Sequence, residues 1–152
     1  MRSFVLLAPL ACLALAACGG PKTPGEKAAY ERHERFEALG KAFKTLGDEL
    51  KKDAPDLAKI KESAAAINGD AGQLKTWFAA GSGPQDGVKT HALEAVWKQP
   101  DAFGQAATKF AEAGAALNAA AQTGDLAQVR GAVPPLGATC KGCHDKFREK
   151  DD

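Results

Sequence analysis

The 152-residue sequence has almost no net charge, few aromatic residues and a single methionine. Lysine and arginine total 20 against 19 aspartates and glutamates. The chain therefore lacks the basic field with which proteins bind a nucleic-acid backbone, and no nucleic-acid partner is expected. A composition of 45% hydrophobic and 26% charged residues is too apolar for a disordered chain and typical of a globular one. The length suits one domain with a modest core.

Residues 1–17 predict a signal peptide rather than a part of the fold. The apolar run over 4–17 is too short to span a bilayer as a stable helix and has the form of a secretory signal. It ends in Leu-Ala-Ala-Cys at 15–18, which resembles a bacterial lipobox, where the cysteine is acylated and becomes the new N-terminus. We expect cleavage before Cys18, a linker over 18–23 and a periplasmic lipoprotein anchored to a bacterial membrane through Cys18. Ordinary signal cleavage, which would release a soluble protein, is the alternative.

Two cysteines remain farther along the chain, and a histidine follows the second. Cys140, Cys143 and His144 form the Cys-x-x-Cys-His pattern, the attachment signature of c-type haem. Positions three apart share a face of a helix, so both thiols can form thioether bonds to the two vinyl groups of haem. His144, four positions after Cys140, can offer a neutral imidazole nitrogen to the iron. The pattern therefore predicts one covalently attached haem c.

The same cysteine pair has three alternative interpretations. A structural zinc site would need a fourth ligand, and no cysteine remains to supply it. A thioredoxin-like redox pair is typical of a βαβ context, which the sequence does not show. A vicinal disulfide suits an oxidising compartment but leaves the histidine without a role.

Apolar residues recur at intervals of three and four along most of the remaining chain, which predicts helices. The helices are predicted at about 24–52, 53–78, 100–121 and 126–150, the first of them after a capping box from Thr23 to Glu26. No alternating strand pattern competes over a useful length. Four amphipathic helices with short links predict an all-α protein over 24–152, an antiparallel four-helix bundle with the haem motif on the last helix.

Two local sequences weaken the expectation of unbroken helices. Pro134 and Pro135 lie inside the fourth helix, where each lacks an amide hydrogen and clashes with the carbonyl four residues back. We expect a kink or a restart there, with the haem-bearing part over about 135–150. Asn68 and Gly69 lie inside the second helix and are poor helix formers.

These features together resemble the cytochrome c′ family, bacterial four-helix-bundle class II c-type cytochromes with one haem near the C-terminus. The resemblance spans nearly all of the chain after the signal peptide. It implies that His144 is the only protein ligand of the iron and that Phe36, on the first helix, faces the other side of the iron. The segments that carry it are Tyr30-Glu31-Arg32 with Phe36, Gly81-Ser82-Gly83-Pro84, Trp97-Lys98-Gln99-Pro100 before Phe103, Gly124-Asp125-Leu126, and Cys140 to Arg148.

The residue inventory agrees with an iron that is five-coordinate and high-spin at rest. The one methionine, Met1, is lost with the signal peptide, so no methionine can be a second axial ligand. His33 lies one position off the apolar stripe and His91 in a loop, which suits solvated or capping roles. A phenylalanine over the iron offers no hydrogen bond to bound oxygen. The family resemblance implies binding of nitric oxide, with carbon monoxide as a further diatomic ligand.

Two arginines are expected near the haem. Arg32 lies one helical turn before Phe36 on the same stripe, where a charge is costly unless it is paired. The resemblance implies a haem propionate as its partner, which suits the planar guanidinium; a surface arginine reaching solvent or a glutamate is the alternative. Arg148, four residues after His144, matches a basic residue that flanks the proximal side of the haem in the family. A cation that complements the helix dipole explains Arg148 equally well.

The sequence thus predicts an exported haem protein that is not an enzyme, binds diatomic gases and exchanges electrons with an unknown redox partner. The alternative is a simple periplasmic electron carrier with a six-coordinate, low-spin haem. A peroxidase-like enzyme is disfavoured because the expected distal side has no histidine or arginine placed for acid–base work. The resemblance also implies a homodimer through the first helix, where Gly40 and Gly47 would permit close approach or would serve packing within the bundle.

Overall fold

A computed structural model of the chain describes residues 20–150. The predicted signal peptide, the cleavage before Cys18 and its lipid anchor lie outside the described residues. The described part is helical, with no β-strand. Its five helices are α1 (Pro24–Leu50), α2 (Leu57–Gln73), α3 (Ala95–Lys98), α4 (Pro100–Thr123) and α5 (Leu126–Phe147).

Side-chain caps fix where the long helices begin. Thr23 Oγ1 accepts a hydrogen bond from the Glu26 amide at 3.1 Å, and the Glu26 carboxylate accepts one from the Thr23 amide at 2.9 Å, which confirms the predicted capping box. Asp56 and Asp125 cap α2 and α5 by a simpler arrangement, in which each aspartate side chain accepts hydrogen bonds from two backbone amides. Gly124, with a φ of 77°, ends α4 in the left-handed conformation that favours glycine.

The four long helices form the predicted antiparallel four-helix bundle. α2 packs against α1 and α4, and α4 packs against α5. α1 and α5 come together at one end of the bundle, where Arg130 Nη2 donates to the Leu50 carbonyl at 3.1 Å. No helix within residues 20–150 is long and apolar enough to cross a membrane. The core is built from the predicted stripes, with its fully buried side chains at Leu46, Ile60, Ile67, Leu117, Val129 and Leu136.

Two helices differ from their predicted course. α5 runs without interruption through Pro134 and Pro135, so the predicted restart is wrong. Each proline removes one hydrogen bond, but Val129 and Leu136 on either side are fully buried, and this packing keeps the segment helical. α2 is also unbroken through Gly69 and ends at Gln73, five residues earlier than predicted. A 3-10 turn, Leu74–Trp77, continues it.

The start of α1 is fitted closely against the loop that follows α2. A Cβ atom on Gly25 would lie 2.0 Å from the Gly81 carbonyl oxygen, a backbone atom that cannot rotate away. We expect Gly25→Ala to lower the free energy of unfolding by about 1–3 kcal/mol, because overpacking forces the loop to move. Gly69→Ala is the matched control, since a Cβ there meets nothing within 4 Å, and we expect it to stabilise the helix by up to about 1 kcal/mol. Urea unfolding followed by circular dichroism measures both, and a Gly25→Ala midpoint at or above that of the wild type would contradict the close fit.

Candidate functional site

A large cavity lies between α1 and α5. Its volume is about 900 Å³, within the range of about 300–1,000 Å³ that is typical of cofactor and small-molecule sites. Its lining is mostly apolar, and charged side chains are exposed around its rim. All six predicted site residues line this one cavity: Arg32 and Phe36 from α1, Cys140, Cys143 and His144 from α5, and Arg148 directly after α5.

The two cysteines lie three positions apart on α5 and are both half-buried free thiols. Burial raises the pKa of the Cys140 thiol. Burial also raises the pKa of the Cys143 thiol, and the neighbouring Cys140 raises it further. Redox-active Cys-x-x-Cys pairs have lowered thiol pKa values, so the environment of this pair is the opposite of a thioredoxin-like site. Both thiols are neutral groups on the wall of an apolar cavity.

Phe36 belongs to an aromatic cluster on the other side of the cavity. Its ring meets the rings of Trp77 and Phe78 edge to face, with centroids 5.2 and 6.2 Å apart. The cluster continues from Phe78 to Phe103 at 4.7 Å and from Phe103 to Phe147 at 5.4 Å. The wall of the cavity that contains Phe36 is therefore aromatic, and the Phe36 side chain has no hydrogen-bond donor.

Arg32 is buried, with only 3% of its surface exposed, so the alternative of a solvent-exposed arginine is wrong. Nη1 donates to the Trp77 carbonyl at 3.3 Å and to Ser82 Oγ at 2.9 Å. Nη2 donates to the Ser82 carbonyl at 3.1 Å and to Thr90 Oγ1 at 2.9 Å. The guanidinium carbon also lies 4.8 Å from the centre of the Phe78 ring, within cation–π range. All of these partners are neutral, and burial lowers the pKa of the guanidinium.

The sequence did not identify these partners of Arg32. Ser82 is fully buried and donates its own hydroxyl hydrogen to the Ala79 carbonyl at 2.7 Å. It lies in the Gly-Ser-Gly-Pro segment, which the sequence marks only as a loop and a point of family resemblance. The one available signal was the position of Arg32 on an apolar stripe, because a buried guanidinium needs several acceptors.

The loop before α3 closes the cavity next to the end of α5. Glu149 donates its backbone amide to the His91 carbonyl at 2.8 Å, and His91 Nδ1 lies 3.4 Å from a carboxylate oxygen of Glu149. Arg148 and Ala92 form a short antiparallel bridge between the same two segments. This bridge keeps the half-buried Arg148 on the cavity wall. His33 also lines the cavity, and it and His91 are exposed, in agreement with the solvated roles expected for both.

The residues of the cavity fit a covalently held haem. Cys140, Cys143 and His144 supply two thiols and an imidazole from successive positions of one helix face, and the aromatic lining suits a large apolar ring. Within residues 20–150, no group of three or more histidine, cysteine, aspartate or glutamate side chains forms an alternative metal site. The donor set therefore matches a haem motif better than a zinc site.

Comparison with known proteins agrees with a covalently held haem. The family model for cytochrome C' matches residues 27–148. The cytochrome c' of Rubrivivax gelatinosus is 39% identical over 127 residues, which cover 84% of this chain and 97% of the relative. The crystal structure of cytochrome c' from the same organism is 36% identical, has a TM-score of 0.74, and covers 82% of this chain and 97% of its own.

A further solved structure contains a gas ligand. It is the nitric oxide complex of a variant of cytochrome c prime from Alcaligenes xylosoxidans. It is 28% identical to this chain, has a TM-score of 0.74, and covers 83% of this chain and 97% of its own.

The contacts of Arg32 predict a large effect of its removal on stability. Arg32→Ala leaves buried acceptors without a donor, and we expect the free energy of unfolding to fall by more than about 2 kcal/mol. Arg35→Ala is the matched control on the same helix, because Arg35 is exposed and its one ring contact, with Trp77 at 5.6 Å, is worth less than about 1 kcal/mol. Urea unfolding of the haem-containing proteins measures both. Equal losses in the two variants would contradict a structural role for Arg32.

Proposed function

The chain belongs to the cytochrome c′ family and so carries a covalently attached haem c with iron. From this premise we propose that it is an exported protein with a five-coordinate, high-spin iron. We propose further that this iron binds nitric oxide and other diatomic gases. The observation that carries the proposal is the division of one cavity between a wall with thiols and an imidazole on α5 and an aromatic wall against α1. The nitric oxide complex of the 28% identical relative supports it.

Three residues of α5 would hold the cofactor. Cys140 and Cys143 would each form a thioether bond, and His144 would offer an imidazole nitrogen to the iron. The haem supplies an iron that takes up one electron and, with an open axial position, binds a diatomic gas. Because the three residues lie within two turns of one helix, α5 fixes their mutual spacing.

Phe36 would decide which ligands the open side accepts. Its ring has no donor with which to stabilise bound oxygen. Trp77 and Phe78 hold it edge to face, so it can restrict the space above the iron and exclude water. Such a site favours nitric oxide and carbon monoxide, which bind iron without help from a hydrogen bond.

Arg32 would pair with a haem propionate. The four hydrogen bonds to Trp77, Ser82 and Thr90 engage both terminal nitrogens. A propionate would therefore bind through Nε or in exchange for one of these bonds. A carboxylate would supply the negative charge that the neutral partners lack, and buried charges are normally paired in this manner. Arg148 would lie near the same cofactor from the end of α5.

We also propose a location and a mode of assembly for the protein. The predicted signal peptide and Cys18 support export to the periplasm, with a lipid anchor at a bacterial membrane. A dimer through α1 is consistent with Gly40 and Gly47, because a Cβ at either position would meet nothing within 4 Å. Neither glycine is therefore required for packing within the bundle.

The alternative function is a simple electron carrier with a six-coordinate, low-spin haem, which needs a second axial ligand. His33 and His91 line the cavity and are the other two histidines of the sequence. Both are exposed, and His91 faces Glu149. The variants His33→Ala and His91→Ala distinguish the two functions: we expect the spectrum of the reduced protein to stay unchanged in both, whereas loss of a low-spin spectrum in either would identify the second ligand.

Carbon monoxide binding tests the role of Phe36. We expect the wild-type ferrous protein to bind the gas and Phe36→Ala to bind it on the order of tenfold faster and more tightly, since removing the ring lowers the barrier by about 1.4 kcal/mol. Stopped-flow mixing measures both rates, with Glu34→Ala as the control, because Glu34 is exposed on the same helix and does not line the cavity. Kinetics in Phe36→Ala that match those of the wild type would remove Phe36 from the site. A wild-type protein that binds no carbon monoxide would contradict the proposed function itself.

A further inference from the structure

A second, smaller cavity lies outside the haem cavity. This outer cleft has a volume of about 260 Å³ and is formed by the 3-10 turn after α2, the short α3 and the first turns of α4. Phe78, Trp97 and Phe103 form its aromatic walls, and Gly104 lies on its α4 side. Lys75 also borders it, but its ammonium group donates to Thr108 Oγ1 at 3.1 Å. The interior of the outer cleft is therefore apolar.

The outer cleft and the haem cavity share a wall of two rings. Phe78 and Phe103 line both cavities, and their ring centroids are 4.7 Å apart in an edge-to-face arrangement. No other side chain lines both. The partition is thus a single layer of aromatic rings. A passage from one cavity to the other would therefore run past these two rings.

The two cavities meet solvent through surfaces of different chemistry. The rim of the haem cavity carries exposed charged or polar groups such as Lys89, His91 and Glu149, and the haem itself occupies that space in the assembled protein. The outer cleft is lined mainly by apolar side chains. Apolar spaces in proteins can bind small neutral molecules.

We propose that the outer cleft admits diatomic gases, which pass between Phe78 and Phe103 into the haem cavity. This inference rests on the proposed gas binding. Arg32 would fix the position of the Phe78 ring in this partition, because its guanidinium carbon lies 4.8 Å from the centre of that ring. The same carbon lies 5.6 Å from the ring centre of Trp97, which lines the outer cleft. The ring of Phe103, on α4, is held by Phe147 from α5.

The variant Gly104→Leu tests the route, because the added leucine side chain would fill part of the outer cleft from its α4 side. Gly104 lines the cleft but not the haem cavity. A Cβ there would lie 3.8 Å from Lys75 Nζ, an ordinary contact with a flexible side chain, and leucine is a better helix former than glycine. We expect the association and dissociation rates of carbon monoxide to fall together, on the order of tenfold, with an unchanged Kd. The Kd stays the same because a higher barrier along the path changes the free energy of neither the unbound nor the iron-bound carbon monoxide.

The control is Gly69→Leu, which adds the same side chain to an exposed helix position with nothing within 4 Å, and its rates should match those of the wild type. If the wild type binds carbon monoxide and Gly104→Leu leaves both rates unchanged, the route is overturned while the proposed function stands. If the wild type binds no carbon monoxide, the proposed function and the proposed route are both overturned.

Xenon gives a test that needs no variant and no reaction at the iron. Crystals of the haem-containing wild-type protein under xenon pressure should show the atom in the outer cleft, bordered by Phe78 and Phe103. Xenon that binds elsewhere and leaves the outer cleft free of it would overturn the inference.

Discussion

The architecture of the site depends on one buried cation. A guanidinium inside a protein is costly unless its donors are satisfied, and Arg32 satisfies them with a loop that has little regular structure of its own. Through Trp77, Ser82 and Thr90, α1 holds the chain between α2 and α3. That chain forms one wall of the large cavity and carries Phe78, which forms part of the partition toward the outer cleft. Arg32 thus connects α1 to the loop, to a wall of the cavity and to one ring of the partition.

The cavity separates two kinds of chemistry. α5 supplies nucleophilic and ligating groups at spacings that one helix face dictates, while the aromatic side chains near α1 supply bulk and exclude polar groups. In the proposed function, this division would let α5 hold the cofactor while Phe36 on α1 would restrict access to it.

The parts of the structure that depend on local sequence were predictable, and those that depend on packing were not. Apolar spacing identified the helices because residues such as Leu46 and Leu117 are buried on one face, and the Cys-x-x-Cys-His pattern is a short-range signal. The continuity of α5 through Pro134 and Pro135 was missed because tertiary packing outweighs a local break. The partners of Arg32 lie 45 to 58 residues away, beyond the reach of any periodicity. The outer cleft could not be predicted from the sequence, because three separate elements of the fold form it.

The proposed open iron is tested most directly by the optical spectrum of the reduced protein, produced from the whole sequence in a host that attaches haem, before and after addition of nitric oxide. We expect a high-spin ferrous spectrum that changes when the gas is added, because in the proposed function His144 would be the single protein ligand and the side of the iron toward Phe36 would be open. A sharp low-spin spectrum that nitric oxide leaves unchanged would contradict it and would require a second ligand from the cavity wall.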